Sequence, residues 1–168
     1  VDTIRDFSHI HEWQLSGVAV MPVTFSNERL PEIFADWSSK FSHETETAKP
    51  GYHSVQLERY QIKAEVTATN RVGVHRYQFP EQSKKGIVFQ LSNQLGPSEM
   101  IEGGFRQISD TEIEGYIVNS ATMRRPKPTP VYFCAQFNQP IKTIHLNVNE
   151  EISTSKKWNG SGGNILVE

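Results

Sequence analysis

Apolar and polar residues alternate along several short stretches of the chain. In Ile62–Ala68 and in Lys142–Val148, apolar side chains recur at every second position. A period of two is typical of an antiparallel strand with one buried face. Gly86–Leu91 is almost continuously apolar, which predicts a central strand. Turn residues separate about eight to ten such runs at a spacing of roughly ten residues. This pattern predicts an all-β fold, an antiparallel β-sandwich that is supersandwich-like and has at most short helical turns.

Two local features add to this prediction. Asn70-Arg71 is short enough to turn a hairpin, and this hairpin places Arg76 opposite Glu65 as an ion pair. Asn27–Phe34 is predicted to form a short helical turn, with Asn27 as its N-cap.

Length and charge limit the possible functions. The chain has 168 residues, which suits a single domain spanning 1–168. Its net charge is −2, with 17 Lys and Arg against 19 Asp and Glu, so we expect no nucleic-acid partner. No apolar run approaches the roughly 20 residues that span a bilayer, and the polar start Val1–Asp6 does not resemble a secretion signal.

The single cysteine excludes an internal disulfide and a cysteine-based zinc site. Cys134 lies in the apolar run Val131–Phe137. This position predicts a buried, inert thiol.

Histidines and an aromatic residue crowd together near the start of the chain, at His9, His11, Glu12 and Trp13. In an extended segment His9, His11 and Trp13 would share one face. An aromatic ring beside hydrogen-bonding side chains suits a sugar site. Two alternatives remain open: the histidines hydrogen-bond the backbone while Trp13 belongs to the core, or the two histidines ligate a metal.

Four short motifs follow one another in the middle of the chain. They are Phe41-Ser42-His43-Glu44, Pro50-Gly51-Tyr52, Ala64-Glu65-Val66-Thr67-Ala68-Thr69 and His75-Arg76-Tyr77-Gln78-Phe79-Pro80. In this order they resemble the N-terminal β-sandwich domain of glycoside hydrolase family 92, the calcium-dependent exo-acting α-mannosidases. The resemblance covers essentially residues 4 to 168.

The resemblance also extends to the N-terminal histidines. The family has a phenylalanine-serine-histidine-x-histidine segment near the substrate cleft, which matches Phe7 to His11. It implies that His9, His11, Glu12 and Trp13 bind substrate. A glycine usually precedes the phenylalanine in the family, whereas this chain has Asp6. Glu12-Trp13-Gln14-Leu15 replaces the continuation usual in α-1,2-specific members, which leaves the linkage preference open.

The family plan implies the remaining expectations. In that plan the sandwich packs on a helical (α/α)6 catalytic domain, and an inverting reaction trims terminal mannose from glycans. Calcium and both catalytic carboxylates belong mainly to the helical domain. The resemblance therefore implies that this chain is part of a larger two-domain enzyme. It implies no catalytic residue and no metal ligand in the chain, and no activity of the chain alone. It further implies two partners, a mannose-containing glycan and the C-terminal helical domain, and a periplasmic, cell-surface or secreted location.

A second hypothesis comes from the residues alone. An all-β domain with accessible aromatics can serve as a non-catalytic carbohydrate-binding or bracing module. Trp13, Trp37 and Trp158 are the candidates for stacking on sugars.

Overall fold

The computed structural model describes residues 2–10, 17–95 and 98–168. These residues form sixteen strands, one short α-helix and two 3₁₀ turns. The strands are β1 (Thr3–Ile4), β2 (Ala19–Phe25), β3 (Ser39–Lys40), β4 (Thr47–Lys49), β5 (Tyr52–Leu57), β6 (Ile62–Ala68), β7 (Gly73–Gln78), β8 (Lys84–Gln90), β9 (Asn93–Leu95), β10 (Ser98–Ser109), β11 (Glu112–Asn119), β12 (Thr129–Gln136), β13 (Ile144–Val148), β14 (Glu151–Thr154), β15 (Lys157–Gly160) and β16 (Gly163–Val167). The helix α1 covers Leu30–Ala35, and the 3₁₀ turns cover Asn27–Arg29 and His43–Thr45.

The described strands form three larger sheets, and the strand pairs within them are antiparallel. The middle sheet has the order β14-β13-β16-β8-β2. The front sheet has the order β4-β5-β6-β7, and the back sheet has the order β12-β11-β10-β15, with β9 also paired to β10. A small pair, β1-β3, completes the described strands. The prediction of an all-β sandwich with short helical turns is confirmed.

The middle sheet is buried on both faces, because neighbouring residues of one strand enter different cores. Val88 and Leu166 belong to a first core shared with the front sheet. Phe89 and Ile165 belong to a second core shared with the back sheet. The apolar run that predicted a central strand is β8, which lies between β16 and β2. The molecule therefore has three layers and two cores.

Strand β2 forms one edge of the middle sheet and carries Pro22, which is opposite Ile87 in the register. An edge strand tolerates proline because its backbone N–H groups need no partner on the open side. The helix α1 then covers the first core with Leu30, Ile33 and Phe34.

The cap predicted for the helical turn is wrong. Ser26 precedes the 3₁₀ turn and Arg29 precedes α1, and neither side chain accepts a capping hydrogen bond. Asn27 instead accepts a hydrogen bond from Lys84.

The prediction of a buried cysteine is also wrong. Strand β12 alternates between half-buried and exposed residues, and Cys134 falls on the exposed face. The run contains apolar residues on both faces, but Val131, Phe133 and Ala135 are those that pack on the second core. The thiol donates to Glu112, and this hydrogen bond raises the pKa of Cys134.

The ion pair predicted across the first hairpin is confirmed. Glu65 and Arg76 are register partners, and both Arg76 Nε and Nη2 donate to the carboxylate at 2.8 Å. The Tyr52 hydroxyl donates to the same carboxylate at 2.7 Å. These donors lower the pKa of Glu65, which is 6% exposed, to about 2. Because Tyr52 lies on β5, Glu65 on β6 and Arg76 on β7, these hydrogen bonds join the three strands on the outer face of the front sheet.

No helix in the described part of the chain is both long enough and apolar enough to cross a membrane.

Candidate functional site

Two anchors position the N-terminal histidine segment. Phe7 is buried in the first core and exchanges two backbone hydrogen bonds with Val20, of 2.8 and 2.9 Å. The Ser8 hydroxyl donates to the Gly17 carbonyl oxygen at 3.1 Å. The backbone then bends at His9 and Ile10, and the His9 side chain reaches the front sheet.

His9 meets a second histidine there. Its Nε2 lies 2.7 Å from Nε2 of His75 on β7, and the two rings meet edge to face with centroids 4.7 Å apart. The second ring nitrogen of His75, Nδ1, lies 2.6 Å from the Tyr77 hydroxyl. The three side chains form one hydrogen-bonded row, the His9–His75–Tyr77 row.

A glycine makes room for this contact. A Cβ atom added at Gly73 would lie 2.2 Å from His9 Cδ2, far inside van der Waals distance. Gly73, His75 and Tyr77 occupy alternate positions of β7 and share its inner face. The His9 ring therefore lies against the backbone of β7 at Gly73, with its Nε2 directed at His75.

Burial lowers the pKa of both histidines and so favours their neutral forms. It lowers the pKa of His75 to about 4, with the neighbouring His9 as the second cause, and it lowers the pKa of His9. Burial raises the pKa of Tyr77. A neutral imidazole donates one hydrogen bond and accepts another, so the row can be directed either way. Among the described residues His9 Nδ1 has no hydrogen-bond partner, so in both arrangements it can donate to, or accept from, a hydroxyl group outside the row.

A second polar cluster lies on the same face of the front sheet. Ser42 accepts a hydrogen bond from the Glu44 backbone N–H and so caps the turn that carries His43. The carboxylate of Glu46 bridges Nδ1 of His43 and Nε2 of His53, the latter at 2.8 Å. These contacts raise the pKa of His43 and lower the pKa of Glu46.

The two groups are linked through the sheet register. Val66 is the register partner of both His53 and His75, so these two histidines flank it on one face. The His53 ring also lies 6.2 Å from the Phe7 ring, measured between centroids. One edge of the sandwich thus carries four histidines, His9, His43, His53 and His75, which we call the histidine edge.

The predicted site residues divide into two groups. His9 lies on the histidine edge, beside a partner that the sequence analysis did not select. His11, Glu12 and Trp13 lie outside the described residues. Within the described ranges no group of three or more His, Cys, Asp or Glu side chains is arranged to hold a metal ion.

Two tryptophans proposed for sugar stacking are engaged elsewhere. Trp37 is 2% exposed and lies in the first core, so its prediction as a sugar-stacking residue is wrong. Trp158 is half-buried and packs against the second core.

The low pKa of His75 predicts that the stability of the fold depends on pH. His75 binds a proton near pH 6.5 when the chain is unfolded but near pH 4 when it is folded. Between these values the unfolded state binds more protons, so acid favours unfolding. Because the ring is partly exposed, we expect a loss of about 1–2 kcal/mol between pH 7 and pH 4. Urea unfolding at these two pH values measures it, and His75→Gln should lose less stability than the wild type. Equal losses in both proteins would contradict the assignment.

Comparison with known proteins identifies the family. Residues 1–167 match the glycosyl hydrolase family 92 N-terminal domain. The chain belongs to this family. The resemblance inferred from the four motifs and the N-terminal histidines is therefore confirmed. A comparison with curated proteins found no match.

Solved structures of family 92 proteins share the fold. A family GH92 α-mannosidase from Bacteroides thetaiotaomicron superposes with a TM-score of 0.77 at 23% identity, over 91% of this chain and 22% of that protein. The same enzyme in complex with mannoimidazole gives the same TM-score. A family GH92 inverting mannosidase from Bacteroides thetaiotaomicron VPI-5482 gives a TM-score of 0.65 at 16% identity, over 89% of this chain and 19% of that protein. The chain thus spans about a fifth of the length of these relatives.

Proposed function

We propose that the chain is the N-terminal part of an exo-acting, inverting, calcium-dependent α-mannosidase that trims terminal mannose from glycans. In this proposal the sandwich supports a C-terminal helical catalytic domain, and the histidine edge forms one wall of the substrate cleft. The observation that carries the proposal is the family match over residues 1–167, which includes the segment that presents His9.

The chemistry of the histidine edge suits a wall and not a catalytic pair. Inverting hydrolysis needs a general acid and a general base about 6.5–9.5 Å apart. The acid must hold its proton near neutral pH, whereas two histidines lower the pKa of Glu46. The pKa of Glu65 is likewise low because of Arg76. In the proposal the catalytic carboxylates lie in the helical domain, as the resemblance to family 92 implies.

The neutral histidines are suited to hold a sugar. His9 presents to a hydroxyl group a ring nitrogen that has no partner in the described part of the chain, while His75 and Tyr77 fix the orientation of its ring. Such an oriented, uncharged donor or acceptor positions a polar ligand without the cost of desolvating a charge. In the proposal, Trp13 adds an aromatic face for the C–H side of the sugar.

In this proposal the reaction of the longer enzyme requires calcium. Its ligands are expected mainly in the helical domain, as the family plan implies. A periplasmic, cell-surface or secreted location is part of the same proposal.

The direct test is mannose release from α-linked mannobioses by the longer enzyme, with and without a calcium chelator. We expect release that stops on chelation and returns when calcium is added, and no release by the 168-residue chain alone. Absence of release from every linkage tested would refute the proposed activity. Release that is insensitive to chelation would refute the calcium requirement.

A further inference from the structure

The outer face of the back sheet carries a furrow with a volume of about 760 Å³. It lies on the far side of the middle sheet from the histidine edge. Two rows of side chains cross its floor. One row runs through Asn159, Gly104, Tyr116 and Tyr132, which are register partners across β15, β10, β11 and β12. The next row contains Lys157, Arg106 and Glu114.

The glycine in the first row lets an aromatic ring lie flat on the sheet. A Cβ atom added at Gly104 would lie 2.7 Å from Tyr116 Cε1, so the ring covers the position where a side chain would stand. The Tyr116 hydroxyl donates to Glu102, which fixes the ring in this orientation. One face of Tyr116 therefore rests on β10, and its other face is turned outward.

A second ring extends this surface. The Tyr132 ring centroid lies 6.2 Å from that of Tyr116, at an interplanar angle of 41°. Tyr132 is 75% exposed, although a large aromatic side chain gains free energy from burial. Two neighbouring, outward-facing rings at an angle form a shallow apolar trough within an otherwise polar surface.

The second row supplies hydrogen-bonding groups of both signs. Arg106 donates to Glu114, which neutralises both charges, and Lys157 lies beside them in the register. Together with Glu102, which accepts from Tyr116, these side chains comprise two basic and two acidic groups. Such a balanced set does not select a strongly anionic or cationic ligand. Aromatic faces beside carboxylate and guanidinium groups match a sugar ring, which has apolar C–H faces and a rim of hydroxyls.

We propose that this back-sheet furrow binds neutral pyranose rings of a polysaccharide, without cleaving them. Tyr116 and Tyr132 stack on consecutive sugar rings, while Arg106 and Glu114 bind their hydroxyls. The furrow holds a glycan chain on the face of the sandwich opposite the histidine edge. This role goes beyond the proposed hydrolysis of terminal mannose, and it does not depend on that activity.

Affinity electrophoresis tests the proposal. The protein is run through native gels that contain yeast α-mannan, pullulan or xylan, and its retardation gives an apparent affinity for each polysaccharide. We expect retardation by at least one of them. Tyr132→Ala should weaken that affinity roughly three- to tenfold through the loss of one stacking ring. Tyr132→Trp should keep it, because the larger ring still offers a flat face.

The controls separate binding from folding and from hydrolysis. Tyr132 is largely exposed, so its replacement should leave the melting temperature unchanged. Met123→Ala, at a fully exposed position outside the furrow, should be retarded like the wild type. Three results would overturn the proposal: no retardation by any of the polysaccharides, equal retardation of Tyr132→Ala and wild type, or a Tyr132→Trp protein that behaves like Tyr132→Ala. None of these results bears on mannose release, so the two proposals fail independently.

Discussion

Ile165→Ala and Leu166→Ala will each lower the free energy of unfolding by about 2–5 kcal/mol. The two residues are neighbours on β16, and both are 0% exposed. They point to opposite faces of the sheet, Leu166 into the first core and Ile165 into the second. In a sandwich of two sheets, one of two adjacent strand residues faces solvent and tolerates alanine. Large losses at both positions are therefore the signature of a middle layer, and urea denaturation of the two variants measures them.

The matched control lies on an outer sheet. Val74 on β7 is partly exposed, on the outer face of the front sheet, and Val74→Ala should change stability by less than about 0.5 kcal/mol. If either Ile165→Ala or Leu166→Ala were as mild as this control, one face of the middle sheet would be exposed. The three-layer arrangement would then be wrong.

Local pattern was sufficient for the strands that have one buried face. Alternation in Ile62–Ala68 predicted β6, and the short turn that follows placed Arg76 against Glu65. Both predictions depend on residues close together in sequence, where period and turn length fix the pairing.

The pattern of apolar and polar residues did not indicate strands that lie at the edge of a sheet or are largely polar. The polar stretch after Val148 contains β14 and β15, in which Ile152 and Trp158 are the large apolar side chains. Both strands end their sheets, and an edge strand that is half solvated carries little hydrophobic signal. The same difficulty explains Cys134, because an apolar run on an edge strand such as β12 does not show which of its faces is covered.

Only part of the candidate site could be predicted from the sequence. His9 stood out because of its neighbours, and the period of two along a strand puts His75 and Tyr77 on one face of β7. The contact between His9 and His75 joins residues 66 positions apart. It arises because the Phe7–Val20 backbone bridge brings the N-terminal segment over the front sheet. Gly73 was the available clue, since a glycine inside a strand often marks a close approach by another segment.

Gly73→Ala will lower kcat/KM for mannose release by the longer enzyme proposed above about 10- to 100-fold. The added Cβ would lie 2.2 Å from His9 Cδ2, so the imidazole must turn away from His75. His9 is exposed on its outer side, and the ring can move into solvent at little cost in stability. A displacement of about 1 Å in a positioning group is enough for a loss of this size. Initial rates with α-linked mannobioses, together with the melting temperature, measure the effect.

The same measurement tests the central claim that the histidine edge of this chain forms one wall of the sugar-binding cleft. Val74→Ala, one residue further along β7 and on its opposite face, should retain wild-type kcat/KM. The account predicts that Gly73→Ala and His9→Ala each reduce kcat/KM, and that the double variant is no worse than His9→Ala alone, because both changes remove the same contact. Wild-type kcat/KM in both single variants would contradict the account and would leave the histidine edge a purely structural feature of the sandwich.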